Sequence, residues 1–149
     1  MRVLLAVDHS PQSASAIMAV SHRGLPAGSI VRVLSVVENA GPPPVGELLA
    51  GAGGDLQEYQ RQRVVAVETL TKEVAASLDA NGLTVETAVR EGAPADVIVE
   101  EAKQWPADLI VVGSHGHTGI KRLLLGSVAQ SVVNHAPCSV EVVRDPRTD

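Results

Sequence analysis

DLIVVGSHGHTGIKRLLLGS, residues 108–127, is the stretch from which the fold is read. Its first half holds four consecutive apolar residues, Leu109 to Val112, between Asp108 and Gly113, and reads as a strand buried on both faces. A glycine-rich turn follows, and then a helix expected over about residues 120–134. A buried strand that ends in glycine and passes into a helix is the repeating step of a parallel α/β sheet. Residues 3–7, VLLAV, form a second uninterrupted apolar run, ended by Asp8 and followed by Ser10 and Pro11. A hydroxyl that caps the first amides and a proline in the first turn start a helix well. That helix is expected to reach about Arg23, with Ala14, Ile17 and either Val20 or Ser21 facing inward.

Working outward, residues 30–36 read as another strand, and residues 84–89, TVETAV, alternate as a strand near a sheet edge does. A long amphipathic helix is expected over 56–78, with Leu56, Tyr59, Val67, Leu70, Val74 and Leu78 on its inner face and Asn81 and Gly82 as its stop. A shorter helix ends near Gln104 with Ile98, Ala102 and Trp105 on one face, and residues 138–143 make the last strand. The order β-α-β-loop-α-β-α-β-α-β predicts an open, doubly wound, five-stranded parallel sheet with helices on both faces, Rossmann-like in architecture. Strands 3–7 and 109–112 are the best candidates for its centre. If the two are neighbours, Asp8 and Gly113 open one crevice, at the point where the strand order reverses.

The 149 residues suit a single domain, 1–149, able to bury about 70% of its unfolded surface. Tyr59 and Trp105 are the only aromatic residues, so the core must be aliphatic. A net charge of −5 argues against a general nucleic-acid surface. Cys138 is the sole cysteine and is expected to be buried, which leaves no cysteine-rich metal site. The first apolar run meets Asp8 after five residues, too short for a membrane span, and a cytoplasmic protein is expected. Residues 38–55 carry PPP at 42–44 and no helical or strand period; they read as a variable surface insertion or a lid.

Within 113–127, Gly113 and Gly116 are separated by two residues, and nine more precede Gly126 and Ser127. Glycines let backbone amides approach a phosphate, Ser127 adds a hydroxyl, and Lys121 and Arg122 place positive charge on the same loop. The segment is neither a Walker loop nor a dinucleotide fingerprint, and GxSxG is absent.

This spacing, with Asp8 and Ser10 at the opening and IKRLLLGSVAQSVVNHAPCSVEVVR at the close, resembles the nucleotide-binding branch of the universal stress protein family over residues 2–144. The resemblance implies an ATP-binding homodimer acting in a stress response, with a regulatory protein partner still to be identified. It puts backbone around Ala6, Val7 and Val36 at the adenine, Asp8 near base or ribose, and Gly113, His115, Gly116, Gly126, Ser127 and Val128 along ribose and phosphates. A divalent ion such as magnesium would be held through the phosphates, and strand 138–143 would pair with the partner's copy. His117 departs from the family's commoner arginine and removes one permanent charge.

Each feature also has a plainer reading. Asp8 reads as a turn or helix cap, the glycines as turn glycines, and His22 and His135 as surface or helix-end residues. His9, His115 and His117 lack the spacing of a protein metal site, and none is expected. No catalytic residue is assigned, and any ATPase activity is expected to be slow. The rival to a nucleotide-dependent module is a nucleotide-independent protein-interaction module of the same fold.

Overall fold

The computed structural model describes residues 1–39, 45–46, 55–115 and 125–144. Five strands, β1 (Arg2–Val7), β2 (Ile30–Val37), β3 (Thr84–Glu91), β4 (Leu109–Gly113) and β5 (Ser139–Val143), form one sheet in the order β3-β2-β1-β4-β5. All four pairings are parallel. The two unbroken apolar runs lie at the centre, as their sequence requires: Leu4 pairs with Ile110 and Leu5 with Val111, and all four are fully buried. The alternating strand, β3, lies at one edge. The insertion expected at 38–55 falls largely outside the described residues.

Successive strand residues face opposite layers. Val3, Leu5 and Val7 pack with Ala16 and Val20 of α1 (Pro11–Ser21) and with Val74 and Leu78 of α2 (Leu56–Ala80). Leu4, Leu34 and Ile110 pack on the other side with Ile98 and Ala102 of α3 (Pro94–Gln104) and with Ala129 and Val132 of α4 (Ser127–His135). Among the described residues, no helix is long and apolar enough to cross a membrane.

The helices depart from expectation in instructive places. The inward stripe of α1 is Ser13, Ala16 and Val20, and Ala14 is exposed. The Asp8 amide donates to Ser13 Oγ at 3.0 Å, which draws Ser13 inward and sets the helix phase. In α2 burial begins late. Thr71, Val74 and Leu78 are buried, Tyr59, Val67 and Leu70 are half-buried, and Leu56 is 41% exposed. Asn81 caps α2, and Gly82 follows at φ +82°, the left-handed position that glycine adopts without strain. Ile98, Ala102 and Trp105 share one buried face as expected.

Of the helix expected over 120–134, residues 120–124 lie outside the described residues, residues 125 and 126 are not helical, and α4 begins at Ser127. Gly126 is extended (φ −61°, ψ 156°) and its amide bonds outside the helix, to the Ser114 carbonyl. Cys138 precedes β5 and is half-buried. Burial pushes its thiol above the ordinary range, and the Asp108 carboxylate adds to the shift. Alkylation of the folded protein by iodoacetamide is therefore expected to run slower than that of glutathione at pH 8, and to accelerate only at higher pH. Equal rates at pH 8 would show an unperturbed thiol.

Thr71 breaks the apolar pattern because it has a partner across the layer. Its hydroxyl lies 2.7 Å from both Ser35 Oγ and the Val67 carbonyl. With one proton, it donates to the carbonyl and accepts from Ser35. Thr71→Val leaves the Ser35 hydroxyl, in a residue only 1% exposed, without that bond. The expected loss is about 1–2 kcal/mol by denaturant unfolding. Most of it should return in the double variant with Ser35→Ala; additive losses would show that the two hydroxyls do not interact.

Candidate functional site

β1 and β4 are neighbours, while the chain runs from β1 to β2 and β3 on one side and from β4 to β5 on the other. Their carboxyl ends flank the switch point of the sheet, where open α/β folds form their crevices. At the end of β1, Asp8, Ser10 and Ser13 tie a local knot. Asp8 Oδ1 accepts from the Ser10 amide at 2.9 Å, Ser10 Oγ accepts from the Ser13 amide at 3.1 Å, and Ser13 Oγ accepts from the Asp8 amide. Asp8 therefore does serve as a turn acceptor.

The Ser10 hydroxyl also donates to the His115 carbonyl at 3.5 Å, so the turns after β1 and β4 are bonded to each other. Beyond Gly113, the Ser114 amide donates to the Val143 carbonyl at 2.8 Å, and the Ser114 carbonyl accepts from the Gly126 amide at 2.7 Å. The structure thus brings Asp8, Gly113, His115, Gly126 and Ser127 to one end of the sheet. Gly116, His117, Lys121 and Arg122 lie outside the described residues.

Two of the glycines are demanded by packing. A Cβ on Gly113 would stand 2.9 Å from the Gln12 carbonyl carbon, in the first turn of α1. A Cβ on Gly126 would stand 3.0 Å from the Ser114 carbonyl oxygen and 3.1 Å from His115 Cα. Both separations are below normal carbon contact. The Gly126 amide is also committed to Ser114, which leaves the first-turn amides of α4 as the donors at that end.

Those donors suit an anion. Among the described residues, α4 has no side-chain cap and no acidic residue in its first turn, whereas α1 is capped by Ser10, α2 by Asp55, and α3, also without a side-chain cap, carries Asp96 in its first turn. An uncapped helix start carries unsatisfied amides and the positive end of the helix dipole. Ser127, exposed at the first position, adds its hydroxyl. His115 Nδ1 lies 3.1 Å from Ser114 Oγ, while its buried Nε2 has no partner among the described residues.

The residues expected at the adenine divide by face. Ala6, Val36 and Val128 sit at the margin of the layer formed with α3 and α4, and Val7 is buried in the opposite layer. The Val7 side chain is thus core, and only its backbone faces the crevice. Among the described residues, no three His, Cys, Asp or Glu side chains lie where they could hold a metal ion. His22 and His135 are exposed at helix ends, each with Nδ1 on the carbonyl four residues earlier.

The sequence reading missed Ser13 and Ser114, whose signal is slight: each is a small polar residue that the fold buries, at 3% exposure. It also missed Glu101, which is 4% exposed on α3 between the exposed Glu100 and Lys103.

The sequence pattern of the universal stress protein family matches residues 1–144. Universal stress protein MJ0531 of Methanocaldococcus jannaschii is 48% identical over 68 residues, covering 46% of this chain and 40% of its own. Universal stress protein Sll1388 of Synechocystis is 30% identical over 103 residues, 69% of this chain and 67% of its own. The chain thus spans about two fifths of the length of the first relative and two thirds of the second.

Among solved structures, universal stress protein UspA from Lactobacillus plantarum superposes with a TM-score of 0.79 at 25% identity over 97% of both chains. The same fold occurs in a universal stress protein in complex with cAMP (TM-score 0.68, 23% identity, 97% of this chain and 96% of that one). It occurs again in a family protein from Arabidopsis thaliana with AMP bound (0.65, 20%, 99% and 94%). A family pattern that runs from the first strand through the last, over residues 1–144, makes this chain a member of the universal stress protein family.

Proposed function

We propose that the protein binds an adenine nucleotide, ATP in the first instance, at the carboxyl edge of β1 and β4, and that it works as a nucleotide-dependent regulatory homodimer in a stress response. The observation that carries this reading is the uncapped start of α4 beside the Gly113–Ser114–His115 turn. Relatives of the same fold are complexed with AMP and cAMP, and this supports an adenine nucleotide as the ligand class. The first-turn amides of α4 and the Ser127 hydroxyl would take the phosphates, the second oxygen of Asp8 the ribose or base, and Ala6 and Val36 the apolar face of the ring. Magnesium, where present, would be held through the phosphates and would neutralise their charge. With no second carboxylate bonded at the turn among the described residues, turnover of ATP would be slow.

β5 is an edge strand with β4 as its one neighbour, and Val140, Val142 and Val143 on it are half-buried. An edge of this kind pairs readily with a second copy. Native mass spectrometry of freshly purified protein, followed by chromatography of released nucleotide, tests both halves of the reading. ATP or ADP at about one per chain in a dimer is the expected result. Empty protein that also gives no heat with added ATP would overturn it and favour an interaction module that does not use nucleotide. That alternative has one observation of its own: Asp8, Ser10 and Ser13 already satisfy one another without a ligand.

A further inference from the structure

Ser114 is 3% exposed, and each of its polar groups is taken by a different part of the fold. Its amide holds the carbonyl of Val143, the last residue of the edge strand; its carbonyl holds the amide of Gly126, the cap residue of α4; its hydroxyl meets the His115 imidazole. The β4–β5 ladder ends at the Gly113–Val143 pair, and the Ser114 amide makes the bond that closes that pair. An edge strand with one neighbour is among the least protected parts of a sheet, and a bond at its end shifts its opening equilibrium directly.

We infer that Ser114 is a positioning residue through which occupation of the phosphate end of the site stiffens the edge strand β5. The inference rests on the nucleotide-binding reading above. His115 is the member of this cluster that is incompletely satisfied, because its buried Nε2 has no partner among the described residues. A ligand at the start of α4 fixes Gly126, and Gly126 fixes the Ser114 peptide on which Val143 hangs. Whatever free energy the ligand gives to that arrangement, the ordered strand must return as tighter ligand binding, since coupling is reciprocal. Partner exchange at the β5 edge would then depend on nucleotide without any residue of β5 touching it.

Amide hydrogen exchange tests this on the full chain, with and without saturating magnesium ATP. The protein concentration is one at which light scattering returns a single assembly state under both conditions, and calorimetry on the same samples reports ATP binding. ATP is expected to slow exchange at the amide of position 114 and across residues 139–143 by about fivefold or more in the wild type. Ser114→Ala keeps the amide and carbonyl that carry the path and is expected to retain most of the slowing, whereas Ser114→Pro, which lacks the amide that bonds Val143, is expected to bind ATP with the slowing across 139–143 reduced towards onefold. A merely structural peptide bond would instead let Ser114→Pro raise exchange equally with and without ATP. Bound ATP that leaves residues 139–143 of the wild type unchanged overturns the coupling, and needs no variant to do so. Full slowing retained in Ser114→Pro overturns the role of the Ser114 peptide. Absence of ATP heat in the wild type removes the underlying reading and the coupling with it.

Discussion

Gly113→Ala should lose both stability and nucleotide. The added methyl would stand 2.9 Å from the carbonyl carbon and from Cβ of Gln12, and 3.0 Å from its carbonyl oxygen. Backbone of a capped helix start cannot swing aside as a side-chain tip does, because Ser10, Ser13 and Asp8 bond it in place. Either the end of β4 or the first turn of α1 must therefore move by several tenths of an ångström. Overpacking of this kind costs about 2 kcal/mol, which for a chain of this size lowers Tm by about 6 °C. The displaced residue also carries the Val143 pairing and precedes Ser114, so the turn next to the α4 start moves with it. ATP affinity should drop by about tenfold or more even at temperatures where the variant is fully folded. Calorimetric titration beside thermal unfolding checks both, and a variant with wild-type affinity and Tm would show that the helix accommodates the methyl. Gly126→Ala presses on Ser114 and His115 in the same way and should resemble it.

The strands that define the fold were legible because a parallel sheet covered on both faces demands unbroken apolar runs at its centre, and Val3 to Val7 and Leu109 to Val112 supply them. The helices were legible in position and less so in phase. Ala14 was expected inside, yet Ser13 is there, because a serine that accepts the Asp8 amide satisfies its hydroxyl and loses little by burial. Thr71 escaped for the same reason, its partner Ser35 lying 36 residues away. The glycines of the site showed in the sequence as a spacing, but the spacing alone does not say what each glycine meets. Gly113 and Gly126 prove to be points where two backbones pass too close for a methyl, a constraint set by tertiary packing. Ser114 gave no sequence signal for this place, since its role lies in the two elements, β5 and α4, that converge on it.

Glu101 was the least legible residue of all, and its replacement should cost the most stability. Its carboxylate is 4% exposed and bridges two arginines: Arg32 Nη1 donates to Oε1 at 2.8 Å, and Arg90 donates from Nε to Oε2 at 3.0 Å and from Nη2 to Oε1 at 3.3 Å. Arg32 bonds Glu86 as well and lies 4.4 Å from the centroid of Trp105, so its guanidinium is fixed on every side. Glu101→Ala deletes the shared acceptor, leaves Arg32 with a half-exposed carboxylate alone, and opens a gap under β2 and β3. Breaking a buried pair from one side costs about 3–5 kcal/mol, against about 2 kcal/mol for Glu101→Gln, which keeps the shape and one acceptor. Arg90→Ala should cost under about 1 kcal/mol, because Arg90 is 49% exposed and Glu101 would keep Arg32. The loss in Glu101→Ala should persist in high salt, since buried pairs are poorly screened. Denaturant unfolding measures all three, and a Glu101→Ala midpoint equal to that of the wild type would show that the network contributes nothing net. Arg32 stands opposite Leu4 in the middle of the sheet, away from the carboxyl ends where Asp8 and Gly113 lie. ATP affinity in the folded fraction should therefore stay within about twofold, the reverse of what the glycine variant does, because distant sites act independently.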